Sequence, residues 1–285
     1  MKKIKVSLDP SMPGMHHGVA FNDYLKIDAV SKSILWKMDQ TSPAELQYWL
    51  KNPGEPTDAM LLGSMVDCRI CEGMQAFNDK FCRIPPDMRR DRRTKKYQDF
   101  LKLCGKKTPV PHKLFDRVEI MRDQIMGYPL AEKRIVDSVR QLTLVWENDG
   151  VLMKGRPDFA TWINDESELV DLKVTNSIKL ERFAKTAHQF GYYWQAAIYL
   201  DGLSTLQGFG CNQFSFIIVK DSPPFGVEVV KLTQSAIELG RREYLTALEK
   251  WRHCHESDDW PASSGQLQVI DLPIYAYPRK DAENV

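Results

Sequence analysis

The chain has 285 residues with 39 basic and 38 acidic side chains, which give a formal net charge of +1 at pH 7. This length is sufficient for a full hydrophobic core in one elaborated domain or in two. Because the charges nearly cancel, no overall field draws the chain to nucleic acid or to a membrane, and any site for a polyanion must be local. No apolar run is long enough to cross a bilayer, and the first residues lack the apolar segment of a signal peptide. The six cysteines do not have the spacing of a disulfide scaffold, so we expect a protein of a reducing cytoplasm.

The first 130 residues are predicted to be mainly helical. Ser42 suits the N-cap and Pro43 the first position of a helix that ends at 52–54. The apolar spacing predicts a second helix from Asp58 to Gly73 and a third from Leu114 to Met126. Between these two helices lies the most basic run of the chain, which contains Arg89, Arg90, Arg92, Arg93, Lys95 and Lys96. Such a run is most often a solvated face.

From Gln141 onward, the apolar pattern changes to the two-residue period of strands. Asp149-Gly150 is typical of a tight hairpin turn and leads into a strand predicted from Val151 to Ile163. A further strand is predicted from Glu168 to Thr175, after a turn at Asn164-Asp165.

This second hairpin predicts a pair of aspartates. If the chain turns at Asn164-Asp165, Asp158 lies opposite Asp171, and directly paired side chains share a face about 5 Å apart at Cβ. Lys173 is two residues beyond Asp171 and points to the same face. Because carboxylates this close repel each other unless a cation joins them, the pair predicts a divalent metal site.

The last part of the chain is predicted to contain a long helix, two strands and a final helix. Their predicted ranges are Ser177 to about Leu203, Gln213–Lys220, Val227–Leu232, and Gln234 to about His255. One face of the long helix is predicted to contain four residues spaced by four, three and four positions: His188, Tyr192, Gln195 and Tyr199. This face is either a half-buried aromatic stripe or a surface that positions a water or a phosphate beside the aspartates. The tail after Trp260 is polar, but Ile270–Tyr275 is apolar enough to pack.

Three short segments together resemble known nuclease motifs. They are Gly155-Arg156-Pro157-Asp158, Asp171-Leu172-Lys173 and Gln195-Ala196-Ala197-Ile198-Tyr199. In this order and spacing they are similar to the PD-(D/E)xK nuclease superfamily, in its RecB-like branch with a QxxxY helix. More narrowly, the layout resembles phage and prophage recombination nucleases of the exonuclease VIII (RecE) type. Flanking segments that fit this resemblance are Val30-Ser31-Lys32-Ser33, Pro43, Leu62-Gly63-Ser64, Trp146 and Leu272-Pro273.

The resemblance covers most of the chain and implies an α/β fold with a restriction-endonuclease-like core, in which helices flank a mixed central sheet. Residues 1–130 would be the helical N-terminal part with the basic segment, 131–260 the catalytic core and 261–285 a partly packed tail. The implied activity is exonucleolytic hydrolysis of linear double-stranded DNA from a 5′ end, in phage-type recombination by single-strand annealing. The implied partners are DNA ends, an annealing protein and further copies of the chain, with no membrane, in a bacterial or phage-infected cytoplasm.

The same resemblance assigns roles to the motif residues. Asp158 and Asp171 are expected to bind Mg²⁺, which prefers oxygen ligands, and Mn²⁺ is expected to substitute for it. Lys173 would orient the attacking hydroxide and offset charge on phosphorus. Gln195 would hold a water or a phosphate, and Tyr199 would support it.

Two positions depart from the family pattern. RecB-like nucleases commonly have a histidine after the glycine of the early helix, where this chain has Asp67. Asp67 is either an oxygen ligand of a second metal ion or an ordinary helix-surface residue. The family also often has a glutamate before the hairpin, where this chain has Gln141, with Glu132 and Glu147 as nearby acids that would substitute.

Several basic residues are candidates for contacts with DNA phosphates: the run from Arg89 to Lys96, Lys154 and Arg156. An iron–sulfur cluster, which some RecB-like relatives hold, is not expected. Only Cys254 lies near the C-terminus, and Cys68 and Cys71 are one helical turn apart, which suits small buried residues.

Two other functions use the same core. One is an endonuclease or structure-specific nuclease, such as a flap-cutting enzyme. The other is a catalytically silent module that binds DNA or serves in assembly. The paired acids argue against the silent module, because a dead site has no physical reason to keep them.

Overall fold

The computed structural model describes residues 9–163, 166–208, 210–211 and 213–273. Its first part is mainly helical, as predicted. In chain order it consists of β1 (Gly14–His16), α1 (Phe21–Lys26), β2 (Val30–Ser31), α2 (Lys32–Gln40), α3 (Pro43–Lys51), α4 (Asp58–Asp67), a turn of π-helix (Cys68–Glu72), α5 (Gly73–Lys80), β3 (Phe81–Ile84), α6 (Lys95–Cys104), β4 (Thr108–Pro111), α7 (His112–Met126) and α8 (Pro129–Val136).

The second part contains most of the strands. In chain order it consists of β5 (Val139–Arg140), β6 (Thr143–Asn148), β7 (Val151–Gly155), β8 (Phe159–Ile163), β9 (Glu166–Thr175), α9 (Leu180–Gln189), α10 (Tyr192–Gln207), β10 (Gln213–Lys220), β11 (Val227–Lys231) and α11 (Gln234–Ser257).

The largest sheet has the strand order β11-β10-β9-β8-β5, in which β9 and β10 are parallel and the other pairs antiparallel. A four-stranded sheet has the order β1-β6-β7-β2, and β3 pairs with β4. Helices cover both faces of the largest sheet. On β10, Phe216 packs into one core with α10 and α11, whereas Ile217 packs into another with α4 and α7. The predicted fold class, an α/β fold with a mixed central sheet flanked by helices, is confirmed.

A predicted helix start and a predicted hairpin turn both form as the local chemistry requires. At the start of α3, the Ser42 hydroxyl accepts a hydrogen bond from the Glu45 backbone at 3.3 Å, and the Glu45 carboxylate accepts one from the Ser42 backbone at 2.9 Å. This reciprocal pair is a capping box. Between β6 and β7, Asp149 and Gly150 have φ values of 47° and 81°, which a type I′ hairpin turn needs.

The strand predicted from Val151 to Ile163 is two strands in different sheets. β7 ends at Gly155 in the four-stranded sheet, and β8 begins at Phe159 in the largest sheet. Pro157 lies between them and has no backbone N–H for a sheet, which explains the break. The β8–β9 hairpin has the predicted register, with Phe159 opposite Val170. Its predicted turn, Asn164-Asp165, lies outside the described residues.

Two predicted helices are also interrupted. α9 and α10 replace the helix predicted from Ser177 to Leu203, because Gly191 has a left-handed φ of 62° that separates them. His188 therefore lies on α9, apart from the α10 residues with which it was expected to share a face. The helix predicted from Asp58 to Gly73 is α-helical only to Asp67 and continues as the π-helical turn.

Cys82 and Cys104 form a disulfide with their Cα atoms 6.1 Å apart. The cysteine spacing did not predict this bond, which departs from the expectation that the thiols stay reduced. The bond joins the two ends of the segment that contains the basic run.

Within the described residues, the C-terminal segment packs on the core at Trp260 and is exposed beyond it. Trp260 packs beside Met38 and Leu46. Ile270 is 87% exposed, so the packing expected for Ile270–Tyr275 is wrong at this residue; residues from 274 onward lie outside the described part. None of the described helices combines the length and the apolar character needed to cross a membrane.

Candidate active site

Three aspartates meet where the largest sheet faces α4. Asp158 directly precedes β8, Asp171 lies within β9, and Asp67 ends α4. The register that pairs Phe159 with Val170 places Asp158 opposite Asp171 one step further along, as the sequence predicts. The Asp158 side chain is fixed to β9, because its Oδ2 accepts a hydrogen bond from the Leu172 backbone at 2.6 Å.

Asp171 is the centre of a second set of contacts. Asp171 is buried, with 3% of its surface exposed. Gln195 of α10 donates a hydrogen bond from Nε2 to Asp171 Oδ1 at 2.5 Å, and Lys173 Nζ forms an ion pair with Asp171 Oδ2. The Lys173 ammonium also lies over the ring of Tyr192, 4.8 Å from its centre. The structure thus brings Asp158, Asp171, Lys173 and Gln195 together.

The three aspartates Asp67, Asp158 and Asp171 are an unfavourable arrangement of negative charges when no cation is bound. Burial, together with repulsion from Asp171 and Asp67, raises the pKa of Asp158 well above its ordinary value of 3.8. Burial also raises the pKa of Asp67. Burial alone would lower the pKa of Lys173, but the combined influence of Asp171, Tyr192 and Asp158 outweighs it and raises that pKa, so the ammonium stays charged.

Tyr199 supports the site through packing. Its ring lies against Gly155 so closely that a Cβ at residue 155 would be 2.7 Å from a ring carbon. Burial raises the pKa of Tyr199 well above its ordinary value, so the hydroxyl stays neutral, and it forms a hydrogen bond with the Arg156 backbone. Only glycine at residue 155 lets α10 approach β7 closely enough for this contact.

Gln141 and Asp67 complete the cluster on its helical side. Gln141 has a φ of 50°, and its Nε2 donates a hydrogen bond to Asp67 Oδ2 at 3.1 Å. Its Oε1 accepts a hydrogen bond from Arg156 at 2.9 Å. The acids proposed as substitutes do not take this place: Glu132 and Glu147 are both exposed, and Glu147 pairs with Leu152 near the β6–β7 turn.

Residues 31–273 match the family model described as "PDDEXK-like domain of unknown function (DUF3799)". The chain belongs to this family. Among solved structures, a "Putative exonuclease" from Eubacterium rectale is 15% identical, with a TM-score of 0.62 over 90% of this chain and 97% of that chain. At this identity the likeness supports the fold of the PDDEXK-like domain.

Other comparisons add little. SSO0001 is 17% identical over 59% of this chain and 79% of that chain, with a TM-score of 0.27. VC1899 from Vibrio cholerae is 12% identical over 82% of this chain and 61% of that chain, with a TM-score of 0.21. Both scores are too low to support an argument. No curated protein matches the chain.

The donor atoms of this PDDEXK-like domain suit a divalent metal. One ligand atom each of Asp67, Asp158 and Cys71 lies within 4.8 Å of the other two, and Asp171 is near enough to repel the Asp158 carboxylate. Carboxylate oxygens are the ligands that Mg²⁺ and Mn²⁺ prefer. A cation would also relieve the repulsion that raises the pKa of Asp158. The residues present therefore fit the divalent metal that PDDEXK nucleases use.

The structure separates the predicted DNA-binding residues. Lys154 is 6% exposed, and its ammonium donates hydrogen bonds to three backbone carbonyls at the end of α1. This structural role replaces its predicted phosphate contact. Arg156 donates to Val19 O at 2.7 Å and to Gln141, so its guanidinium is engaged with the protein as well.

The basic run lies in an exposed segment that follows β3 and ends in the first turn of α6. Within it, Arg93 pairs with Asp91 at 3.1 Å, and Lys96 pairs with Asp87 at 2.8 Å. Contacts of Arg89, Arg90, Arg92, Arg93, Lys95 and Lys96 with DNA stay predictions.

Two residues near the site were not assigned to it from the sequence. Lys32 donates a hydrogen bond to Phe190 O at 2.5 Å; burial, then repulsion from Lys173, lowers the pKa of Lys32 to about 7. Its position in the Ser31-Lys32-Ser33 segment was noted only through the resemblance. Cys71 was interpreted as a small buried residue, although its spacing of four from Asp67 places both on one face.

Proposed function

We propose that the protein is a divalent-metal-dependent deoxyribonuclease that digests linear double-stranded DNA from its ends. The observation that supports this most directly is the interlocked set of Asp158, Asp171, Lys173 and Gln195, with Asp67 facing it. A silent DNA-binding module would not need buried carboxylates whose mutual repulsion costs stability.

In the proposed reaction, Asp158, Asp171 and Asp67 would hold Mg²⁺ or Mn²⁺. When bound, the ion would polarise the scissile phosphate and lower the pKa of a water. Asp171, Tyr192 and Asp158 together raise the pKa of Lys173, so its ammonium can donate to the attacking oxygen and stabilise the negative charge that builds up at phosphorus. Gln195 fixes the orientation of the Asp171 carboxylate, and Tyr199 fixes α10 against β7.

Attack at DNA ends is the finer part of the proposal. It is supported by the resemblance to recombination exonucleases of the RecE type and by the name of the Eubacterium rectale protein. The same resemblance supports 5′-to-3′ polarity, a role in recombination, a homo-oligomer and a single-strand annealing partner. Contacts of the exposed basic run with phosphates would add affinity without sequence preference.

The test compares end-labelled linear duplex with covalently closed circular DNA, each with Mg²⁺ or Mn²⁺. We expect digestion of the linear duplex only, early release of the 5′ label, and no digestion after chelation. The variant Asp171→Ala should be inactive, whereas Asp123→Ala, which removes an exposed aspartate of α7, should be fully active. Cutting of the circle would replace the exonuclease with an endonuclease. Full activity of Asp171→Ala would disprove the assigned site.

A further inference from the structure

The acidic cluster contains a thiol. Cys71 is 6% exposed, and its Sγ donates a hydrogen bond to Asp67 Oδ1 at 3.1 Å. Its sulfur and one oxygen each of Asp67 and Asp158 lie within 4.8 Å of one another. Cys71 also packs in the apolar core that contains α4 and α7, but its sulfur faces the two carboxylates, which a purely apolar role does not require.

The backbone explains how the sulfur reaches the carboxylates. Residues 68–72 form the turn of π-helix, which begins directly after Asp67. Such turns insert an extra residue into a helix and are frequent at functional sites. The other free cysteines of the described residues lie outside this ligand group: Cys68 packs in the same apolar core as Cys71, Cys211 donates to Ser167 O, and Cys254 packs beside Met38.

The distances suit an ion that binds both sulfur and oxygen. Three atoms that lie within 4.8 Å of one another share a point that is no more than about 2.8 Å from each of them. Bonds of zinc to sulfur and to carboxylate oxygen are about 2.3 Å and 2.1 Å. An inward shift of less than about 1 Å per side chain would therefore close the site around such an ion.

We propose that Cys71 is a metal ligand that acts together with Asp67 and Asp158. The centre would then accept a hard ion such as Mg²⁺ through its carboxylates alone, and would bind thiophilic ions such as Cd²⁺ and Zn²⁺ more tightly through an added metal–sulfur bond. On binding, the Cys71 S–H bond breaks, its proton passes to solvent, and the sulfur electron pair forms the bond to the metal. This inference rests on the metal centre described under the proposed function.

The test is a titration of the whole protein with Cd²⁺, followed by the ultraviolet charge-transfer absorption of cadmium–thiolate bonds and by calorimetry. We expect the absorption in the wild type and its loss in Cys71→Ser, with Cd²⁺ affinity lowered at least about tenfold, since even outer-shell partners of metals are typically worth 10- to 100-fold. Mg²⁺ affinity should stay within about twofold, because magnesium does not use the sulfur.

Cys68→Ser is the matched control, because Cys68 is a buried free thiol in the same π-helical turn but lies outside the ligand group. It should keep both the absorption and the affinity. As a measurement that needs no variant, wild-type protein should release about one more proton on binding Cd²⁺ than on binding Mg²⁺, counted by calorimetry in buffers of different ionisation enthalpy.

The outcomes separate the two proposals. Equal Cd²⁺ affinity in wild type and Cys71→Ser, or no extra proton, would overturn the role of Cys71 while leaving a Mg²⁺-dependent nuclease intact. If neither Mg²⁺ nor Cd²⁺ binds and linear DNA is not digested, the metal centre itself is wrong. Circular dichroism of each variant shows whether a lost signal reflects unfolding.

Discussion

The two sides of the acidic centre are built in different ways. On the strand side, Asp158, Asp171 and Lys173 are placed by the regular register of β8 and β9. On the helical side, Asp67 directly precedes a π-helical turn and Cys71 lies within it, and Gln141 has a left-handed φ. The strand side therefore follows from residue alternation, whereas the helical side depends on irregular backbone that alternation does not describe.

The largest effect is expected from Lys173, on the strand side. Lys173→Ala should lower the rate of DNA hydrolysis about 100-fold or more, because it removes the charge that stabilises the transition state. The rate is measured in single turnover with saturating Mn²⁺. Lys185→Ala, which removes an exposed lysine of α9, should have the wild-type rate. An active Lys173→Ala would show that the ion pair with Asp171 is only structural.

On the helical side, Asp67→Ala is expected to raise the Mn²⁺ concentration for half-maximal activity about 10- to 100-fold. The reason is the loss of one carboxylate from the ligand group around Asp158. Asp58→Ala, at the other end of α4, is the control and should leave the metal requirement unchanged. If both variants behave alike, the helical side supplies no ligand and the comparison between the two sides fails.

A smaller effect is expected where α10 meets β7. Gly155→Ala would place a methyl group 2.7 Å from the Tyr199 ring, so we expect a loss of about 1–3 kcal/mol in the free energy of unfolding. Denaturant unfolding measures it. Gly63→Ala, in α4 with no atom within 4 Å of its added Cβ, should be neutral or stabilising. Equal stability of the two variants would contradict the close approach.

The smallest expected effect is a dependence of stability on pH. Since the folded state raises the pKa of Asp158 above its unfolded value, the folded state binds this proton more tightly. Without metal, the contribution of this group is therefore largest at low pH, and it is lost as the pH rises from about 4 through the raised pKa. Between pH 4 and 8 in the presence of a chelator, the melting temperature should fall less steeply with rising pH for Asp158→Asn than for the wild type. If the melting temperature falls equally with pH in both proteins, folding does not raise the pKa of Asp158.

Sequence alone predicted the fold class and the strand side of the site, because hairpin register and the period of two relate residue numbers directly to faces. The break of Val151–Ile163 into two sheets was not predicted, because Pro157 marks an interruption but does not tell whether the strand that follows lies in the same sheet. Nor did the sequence predict that Lys154 is buried among backbone carbonyls, because no local pattern identifies those distant acceptors. The disulfide between Cys82 and Cys104 likewise depends on contacts that spacing does not contain.

The break between β7 and β8 places Asp158 at the junction of two sheets. The three residues from Arg156 to Asp158 connect the last residue of β7 to the first residue of β8, and so they connect two separate sheets. Because the link is only three residues long, the four-stranded and five-stranded sheets lie close together where it joins them. The link therefore makes the position of a proposed metal ligand depend on the packing of both sheets.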